Sequence, residues 1–221
     1  MDDSKGISIA KQQGETGVSI TVGGQKVSVA GKPINMHFAE PESYAYLVID
    51  CSVSMTGYKL TQAKKGIIDF AEDALKKSYL TGLISFDSSA ANICEPLRDV
   101  AALTPNVNKL KIGGSTNMAE GLKMAHQRLK KLKGARAIVI ATDGQPDNAR
   151  AALKAGQAAK DDGIDIITIG TDDADLEFLE KLATRKELGA KVAPENFAST
   201  IAQATNLLPP PGRAAGRKYL R

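Results

Sequence analysis

The chain has 221 residues and a mass of 23.3 kDa, which suits one large domain or one domain with small attachments. Its 43% hydrophobic and 24% charged residues are typical of a soluble globular protein and exclude a disordered chain. The longest apolar runs, such as residues 137–141, are far shorter than the roughly 20 residues of a membrane helix. Two cysteines make no disulfide framework, and the first residues lack a secretory pattern, so we expect a cytoplasmic location.

The net charge of +4 comes from the C-terminal segment. Residues 209–221 are rich in proline and contain four basic and no acidic side chains, whereas residues 1–208 carry equal numbers of both. A neutral body lacks the basic stripe that a duplex-binding domain needs. Nucleic-acid binding through this Pro-rich basic tail is therefore the third and least favoured function.

Residues 1–42 are mostly polar and rich in glycine, serine and valine. Within them, residues 18–22 and 27–30 alternate apolar and polar side chains across the glycine pair 23–24, which predicts a β-hairpin. Residues 25–26 fit either the loop or the second strand. Because an isolated hairpin is marginal in water, we interpret residues 1–42 as an N-terminal extension that packs on another surface.

Residues 43–208 alternate short apolar runs with stretches that have apolar residues at helical spacing. The runs predict strands at 45–49, 82–86, 137–140 and 164–169, and the stretches predict helices at 59–77, 118–133, 149–162 and 175–183. Residues 91–97 predict an edge strand, because Pro96 cannot donate to a neighbour, and residues 197–208 predict a closing helix. Together they predict a doubly wound α/β fold with a mostly parallel sheet and helices on both faces.

Polar residues follow the first predicted strand, at the edge of the sheet where such folds bind ligands. Asp50, Ser52 and Ser54 are spaced by two, so an extended backbone would point their side chains to one side. The same alternation predicts that Cys51 and Val53 face the protein interior. Other polar segments, residues 113–116 and 142–144, are expected at the same edge.

With Thr116 and Asp143, these three residues predict a cluster made only of oxygen ligands. Hard divalent cations prefer such ligands, and Mg²⁺ in particular uses few carboxylates and keeps several waters. Neither His37 nor His126 lies near these segments, so zinc is disfavoured. Two carboxylates offset the charge of the ion and three hydroxyls add none, which leaves a cation able to accept one more acidic ligand from outside.

The sequence Asp50-Cys-Ser-Val-Ser54, with Thr116 and Thr142-Asp143-Gly144, resembles the metal-ion-dependent adhesion site of von Willebrand factor A domains. The resemblance covers about residues 43–208 and implies a doubly wound sheet with one antiparallel edge strand. It implies that Ser52, Ser54 and Thr116 contact Mg²⁺ or Mn²⁺, and that Asp50 and Asp143 bind the ion directly or through water. It also implies binding to an Asp or Glu side chain of a protein partner, in the manner of intracellular members that act as scaffolds or adaptors.

Two alternatives compete with this interpretation. Serine, threonine and aspartate after strands commonly cap the next helix, which would make the five residues purely structural. A strand-end aspartate beside Mg²⁺ also occurs in phosphohydrolases and phosphotransferases, in which Asp50 would be the nucleophile. Such enzymes resembling the haloacid dehalogenases use a second acid two residues later, where this chain has Ser52. We therefore expect no enzymatic activity.

Overall fold

The computed structural model describes the backbone of residues 17–22 and 25–30 and the whole of residues 43–211. The chain divides into two compact units, Met1–Ala39 and Glu40–Arg221. The boundaries drawn from the sequence at residues 42 and 208 stay predictions, and most of the basic tail lies outside the described residues.

The N-terminal unit contains the predicted hairpin. Strand β1 (Gly17–Val22) pairs in antiparallel fashion with strand β2 (Gln25–Ala30), and Val22 is opposite Gln25. Gln25 and Lys26 thus belong to the second strand and not to the loop.

The larger unit is built on a six-stranded sheet in the order β5-β4-β3-β6-β7-β8. All neighbouring strands are parallel except β5, which is antiparallel to β4. Its edge position agrees with the prediction from Pro96, and its direction agrees with what the family resemblance implies. The short strand β8 is not predicted by the sequence, because four residues with one charged side chain give no clear apolar run. The strands are β3 (Ser43–Asp50), β4 (Tyr79–Phe86), β5 (Ala90–Leu97), β6 (Arg136–Thr142), β7 (Asp165–Thr171) and β8 (Gly189–Val192).

Within residues 43–211, five α-helices lie between these strands and a sixth follows β8. They are α1 (Tyr58–Lys76), α2 (Val100–Asn108), α3 (Met118–Leu129), α4 (Ala149–Asp161), α5 (Leu176–Leu182) and α6 (Phe197–Gln203). Helix α2 was not predicted, because Pro105 interrupts its helical pattern. Helix α3 ends earlier than predicted, and the buried guanidinium of Arg136 donates to the carbonyl oxygen of Leu129 at its end. The closing helix α6 is also shorter and continues as a 3₁₀ turn, Ala204–Leu207.

The sheet is covered on both faces by apolar side chains. Leu47 and Ile49 of the central strand β3 pack into one cluster with residues of α1 and α6, whereas Tyr46 and Val48 pack into the opposite cluster with residues of α3, α4 and α5. This alternation follows from the two-residue period of a strand. Among the described residues, no helix has the length and apolar character needed to cross a membrane.

Helices α1 and α6 approach each other closely at Gly66. A Cβ atom at this position would lie 2.7 Å from the carbonyl oxygen of Ala198 and 2.8 Å from Cβ of Ile201. Both atoms are attached rigidly to α6, so a larger residue at position 66 must push the two helices apart. The closing helix therefore depends on the absence of a side chain in α1.

We expect Gly66→Ala to lower the free energy of unfolding by about 1–3 kcal/mol, the usual cost of overpacking. Alanine favours an isolated helix by about 1 kcal/mol over glycine, so unchanged or higher stability would contradict the close packing. Urea unfolding measures the effect. Lys65→Ala, at the exposed neighbouring position, is the control and should change stability little.

Candidate metal centre

The predicted site residues gather at the carboxyl edge of the sheet, where the strand order changes direction. Strands β4 and β5 extend the sheet on one side of β3, and β6, β7 and β8 extend it on the other. Strand β3 ends at Asp50 and its parallel neighbour β6 ends at Thr142, directly before Asp143. Crevices of this kind are where open α/β sheets bind ligands.

The chain turns immediately after β3 and does not remain extended. The Asp50 carboxylate accepts a 2.8 Å hydrogen bond at Oδ1 from the backbone N–H of Ser52, and residues Val53–Met55 form a 3₁₀ turn. Because the turn ends the alternation of side chains, Val53 is 62% exposed, and the prediction that it faces the interior is wrong. Cys51 is buried, as predicted.

Four of the five predicted residues form one hydrogen-bonded cluster. The hydroxyls of Ser52 and Ser54 lie 3.0 Å apart, and Ser54 Oγ donates to Asp143 Oδ1 at 2.8 Å. Thr142 Oγ1 donates to Asp50 Oδ2 at 2.5 Å and thereby joins the ends of the two strands. The turn after β3 thus brings Ser54 to Asp143, a contact that residue spacing alone does not reveal.

Thr116 reaches this edge through its backbone. Its N–H donates to Asp147 Oδ1 and its carbonyl oxygen accepts from the Asp147 N–H, each at 3.0 Å. The preceding Gly114 accepts at its carbonyl oxygen from the Val53 N–H, also at 3.0 Å. The loop before α3 is therefore bonded on one side to the turn after β3 and on the other to the segment that follows β6.

Helix capping does not account for the five residues. The side chains that cap helices here are those of Asp99, Asn148 and Asp175, which accept N–H bonds in the first turns of α2, α4 and α5. Ser52 precedes the 3₁₀ turn but makes no capping bond with its hydroxyl.

The electrostatics of the cluster are dominated by burial. Asp50 and Asp143 are 0% and 1% exposed. Burial raises the pKa of the Asp50 carboxyl above its usual range, and the hydrogen bonds from Thr142 and Ser52 act in the opposite direction. A buried carboxylate that keeps its charge needs donors or a cation beside it.

A lysine that the sequence reasoning did not consider supplies one positive charge. Lys59 Nζ lies 2.5 Å from Asp143 Oδ2 and 2.9 Å from Asp172 Oδ2. Desolvation alone would lower the pKa of Lys59, but the hydrogen bonds and charges of the two carboxylates outweigh it and raise this pKa above its ordinary value. The available signal was a lysine in the first turn of a helix that has no acid there.

The donor atoms at this edge suit a hard cation. They comprise two buried carboxylates and the hydroxyls of Ser52, Ser54 and Thr116, all of them oxygen ligands of the kind that Mg²⁺ and Mn²⁺ accept. No group of three or more His, Cys, Asp or Glu side chains converges as a metal cluster within residues that the structure describes. The candidate set therefore depends on its hydroxyls as much as on its acids.

The model of the von Willebrand factor type A domain matches residues 46–207. The chain belongs to this family. It is 34% identical to the uncharacterised Synechocystis protein sll0103 over 134 residues, which are 58% of the chain and 31% of that protein. It is 26% identical to the UPF0353 protein of Mycolicibacterium gilvum over 163 residues, which are 65% of the chain and 48% of that protein. The chain thus spans less than half the length of these relatives.

A solved structure agrees with the fold. The von Willebrand factor domain of the type V pili tip protein Mfa5 from Porphyromonas gingivalis superposes with a TM-score of 0.67 at 18% identity. The match covers 76% of this chain and 96% of that domain. The predicted fold class, an α/β fold with a mostly parallel sheet and helices on both faces, is confirmed.

The bond between Thr142 and Asp50 gives a direct test of the cluster. We expect Thr142→Val to lower the free energy of unfolding by about 1.5–3 kcal/mol, the contribution of a hydrogen bond to a charged group. Thr142→Ser, the control, keeps the hydroxyl and should cost about 0.8 kcal/mol for one lost methyl group. Urea unfolding in a chelating buffer measures both. Equal stability of the two variants would contradict the role of this hydroxyl.

Proposed function

We propose that this chain is a protein-binding module that depends on a divalent cation and is not an enzyme. Domains of its family typically mediate protein–protein interaction or adhesion. The observation that carries the proposal is the chain of oxygens Ser52–Ser54–Asp143, with contacts of 3.0 and 2.8 Å, beside the buried carboxylate of Asp50. Position 52, where enzymes resembling the haloacid dehalogenases use a second acid, holds a serine, which does not act as a general acid or base at neutral pH.

The proposed ion is Mg²⁺ or Mn²⁺. Asp50, Ser52, Ser54, Thr116 and Asp143 would hold it, directly or through water. The ion would supply a positive charge that a partner's carboxylate can bind. The two carboxylates would balance the double positive charge of the ion, and the neutral hydroxyls would add no further negative charge. The ion could therefore still accept a carboxylate from a partner. Thr116 is 9% exposed, and its backbone is held beside the strand ends by Asp147, which supports its part in this set.

The proposed partner is a protein that presents an aspartate or glutamate side chain. Ser54 is exposed while the acids behind it are buried, so the cluster opens to solvent on the hydroxyl side. Val53 and Tyr58, 62% and 54% exposed, flank Ser54 in the sequence and provide apolar surface for a partner. Exposed apolar side chains beside a polar centre are typical of protein interaction sites.

We place this activity in the cytoplasm as part of the same proposal. Cys51 and Cys94 are both free thiols, which fits a reducing compartment. The similar Mfa5 domain belongs to a pili tip protein, so a location outside the cell is the competing hypothesis. Fractionation of the source cells distinguishes the two locations.

Titration with Mn²⁺ tests the cation site. We expect paramagnetic broadening of backbone amide signals centred on residues 50–54, 116 and 143, and loss of this broadening in Asp50→Ala. Ser54→Ala should weaken Mn²⁺ binding by at least about tenfold, a loss typical even of residues that only orient a metal ligand. Asp73→Asn is the matched control, because Asp73 is an acid of α1 whose half-exposed side chain pairs with Lys76. If the broadening is absent, or if it persists in Asp50→Ala, the proposed cation site is contradicted.

A small carboxylate tests whether the site accepts an acid from outside. We expect sodium acetate to lower the apparent dissociation constant for Mn²⁺, relative to sodium chloride at equal ionic strength, because acetate would take the position of the partner's side chain. The measurement is isothermal titration calorimetry corrected for Mn²⁺–acetate association in buffer. If acetate and chloride give the same constant, the ion has no position open to a carboxylate.

A further inference from the structure

Lys59 occupies a place in the helix that is unfavourable for a cation. It is the second residue of α1, where the helix dipole is positive, and the first turn contains no acid. Its side chain is 19% exposed and points to two carboxylates of distant segments, Asp143 and Asp172. The tertiary ion pairs, and not the local helix, therefore hold the ammonium group at this edge.

The ammonium group uses the carboxylate that a divalent cation would need. Asp143 Oδ1 accepts from Ser54, and Asp143 Oδ2 accepts from Lys59 at 2.5 Å. Both carboxylate oxygens are thus engaged by donors of the protein itself. Because like charges repel strongly in a site screened from water, Lys59 and a divalent cation cannot share this carboxylate without cost.

Asp172 offers the ammonium group a second position. Its Oδ2 lies 2.9 Å from Lys59 Nζ, and its side chain is 35% exposed, whereas that of Asp143 is fully buried. The neighbouring Asp173 N–H donates to the carbonyl oxygen of Asp143 at 3.1 Å, which keeps this loop beside the cluster. Lys59 can therefore leave Asp143 and remain paired.

We propose that Lys59 is a built-in competitor of the divalent cation. In the absence of the ion it neutralises Asp143, and when the ion binds it withdraws to Asp172. The affinity of the site for Mg²⁺ or Mn²⁺ then depends on the difference in free energy between the Lys59–Asp143 and Lys59–Asp172 ion pairs. This inference rests on the proposed function, since it concerns the same cation site.

Removal of the charge tests the competition. We expect Lys59→Gln to bind Mn²⁺ at least about tenfold more tightly than the wild type, since one charge at contact distance is removed from a partly buried site. Lys59→Arg, which keeps the charge, should bind Mn²⁺ more weakly than Lys59→Gln. Lys65→Gln removes an equal charge from an exposed position of the same helix and should change the constant little. Calorimetry and the electron paramagnetic resonance signal of free Mn²⁺ both give the dissociation constants.

Thermal unfolding gives a second readout that does not depend on the affinity measurement. Without metal, Lys59→Gln leaves the buried Asp143 without its cation, so its Tm should fall below that of the wild type in a chelating buffer. Saturating Mn²⁺ should then raise the Tm of the variant more than that of the wild type, because a tighter ligand stabilises the folded state more.

A double-mutant cycle at Lys59 and Asp172 distinguishes competition for Asp143 from a general effect of charge. If Lys59 withdraws to Asp172, the gain in affinity from Lys59→Gln should be larger in an Asp172→Asn background, where the ammonium group has only Asp143. Independent long-range effects would be additive and would give the same gain in both backgrounds. The four dissociation constants of this double-mutant cycle decide between the two accounts.

The outcomes separate the inference from the proposed function. If the wild type binds Mn²⁺ and Lys59→Gln binds no more tightly, the competition is overturned while the cation site stands. If the gain is the same with and without Asp172, the withdrawal to Asp172 is overturned. If neither the wild type nor Lys59→Gln binds Mn²⁺ at millimolar concentration, the proposed function fails, and the inference fails with it.

Discussion

A buried carboxylate at the end of the central strand is the constraint on which this edge of the molecule depends. Asp50 is fully buried, and its two oxygens are held by the Ser52 N–H and the Thr142 hydroxyl. The first bond turns the chain out of the strand, and the second ties β3 to β6. A buried charge without partners is costly, and these two bonds lower that cost. Because they also fix the turn after β3 and the end of β6, they determine where Ser54 and Asp143 meet.

The neighbouring acid Asp143 is also buried, but different donors stabilise its carboxylate. It accepts from Ser54 on one oxygen and from Lys59 on the other, so a cation of the protein itself takes part in balancing the cluster. The proposed cation site and the proposed competitor are thus two consequences of one requirement, that two buried carboxylates at adjacent strand ends must be neutralised. In the proposed exchange, Asp172 at the rim would hold Lys59 when the divalent cation occupies Asp143.

Much of the fold and of the candidate site could be predicted because both follow from local patterns. Continuous apolar runs such as residues 137–140 indicate buried parallel strands, and Pro96 indicates the edge. The turn after Asp50 could not be predicted from spacing, since it depends on a side chain capturing a backbone N–H, and Val53 was therefore placed on the wrong side. Helix α2 and strand β8 were missed because an internal proline and a short run weaken their local signals.

The sequence by itself determined the α/β class, the family motif and the types of oxygen donor available, because each of these is written in residues that are adjacent or regularly spaced. Only the tertiary structure decided that Ser54 contacts Asp143, that Thr142 holds Asp50, and that Lys59 reaches two acids far away in the chain. The physical reason is that a buried charge is stabilised by the donors that lie within about 3 Å of it. The packing of helices on the sheet determines which donors those are. That packing is not a local property of the sequence.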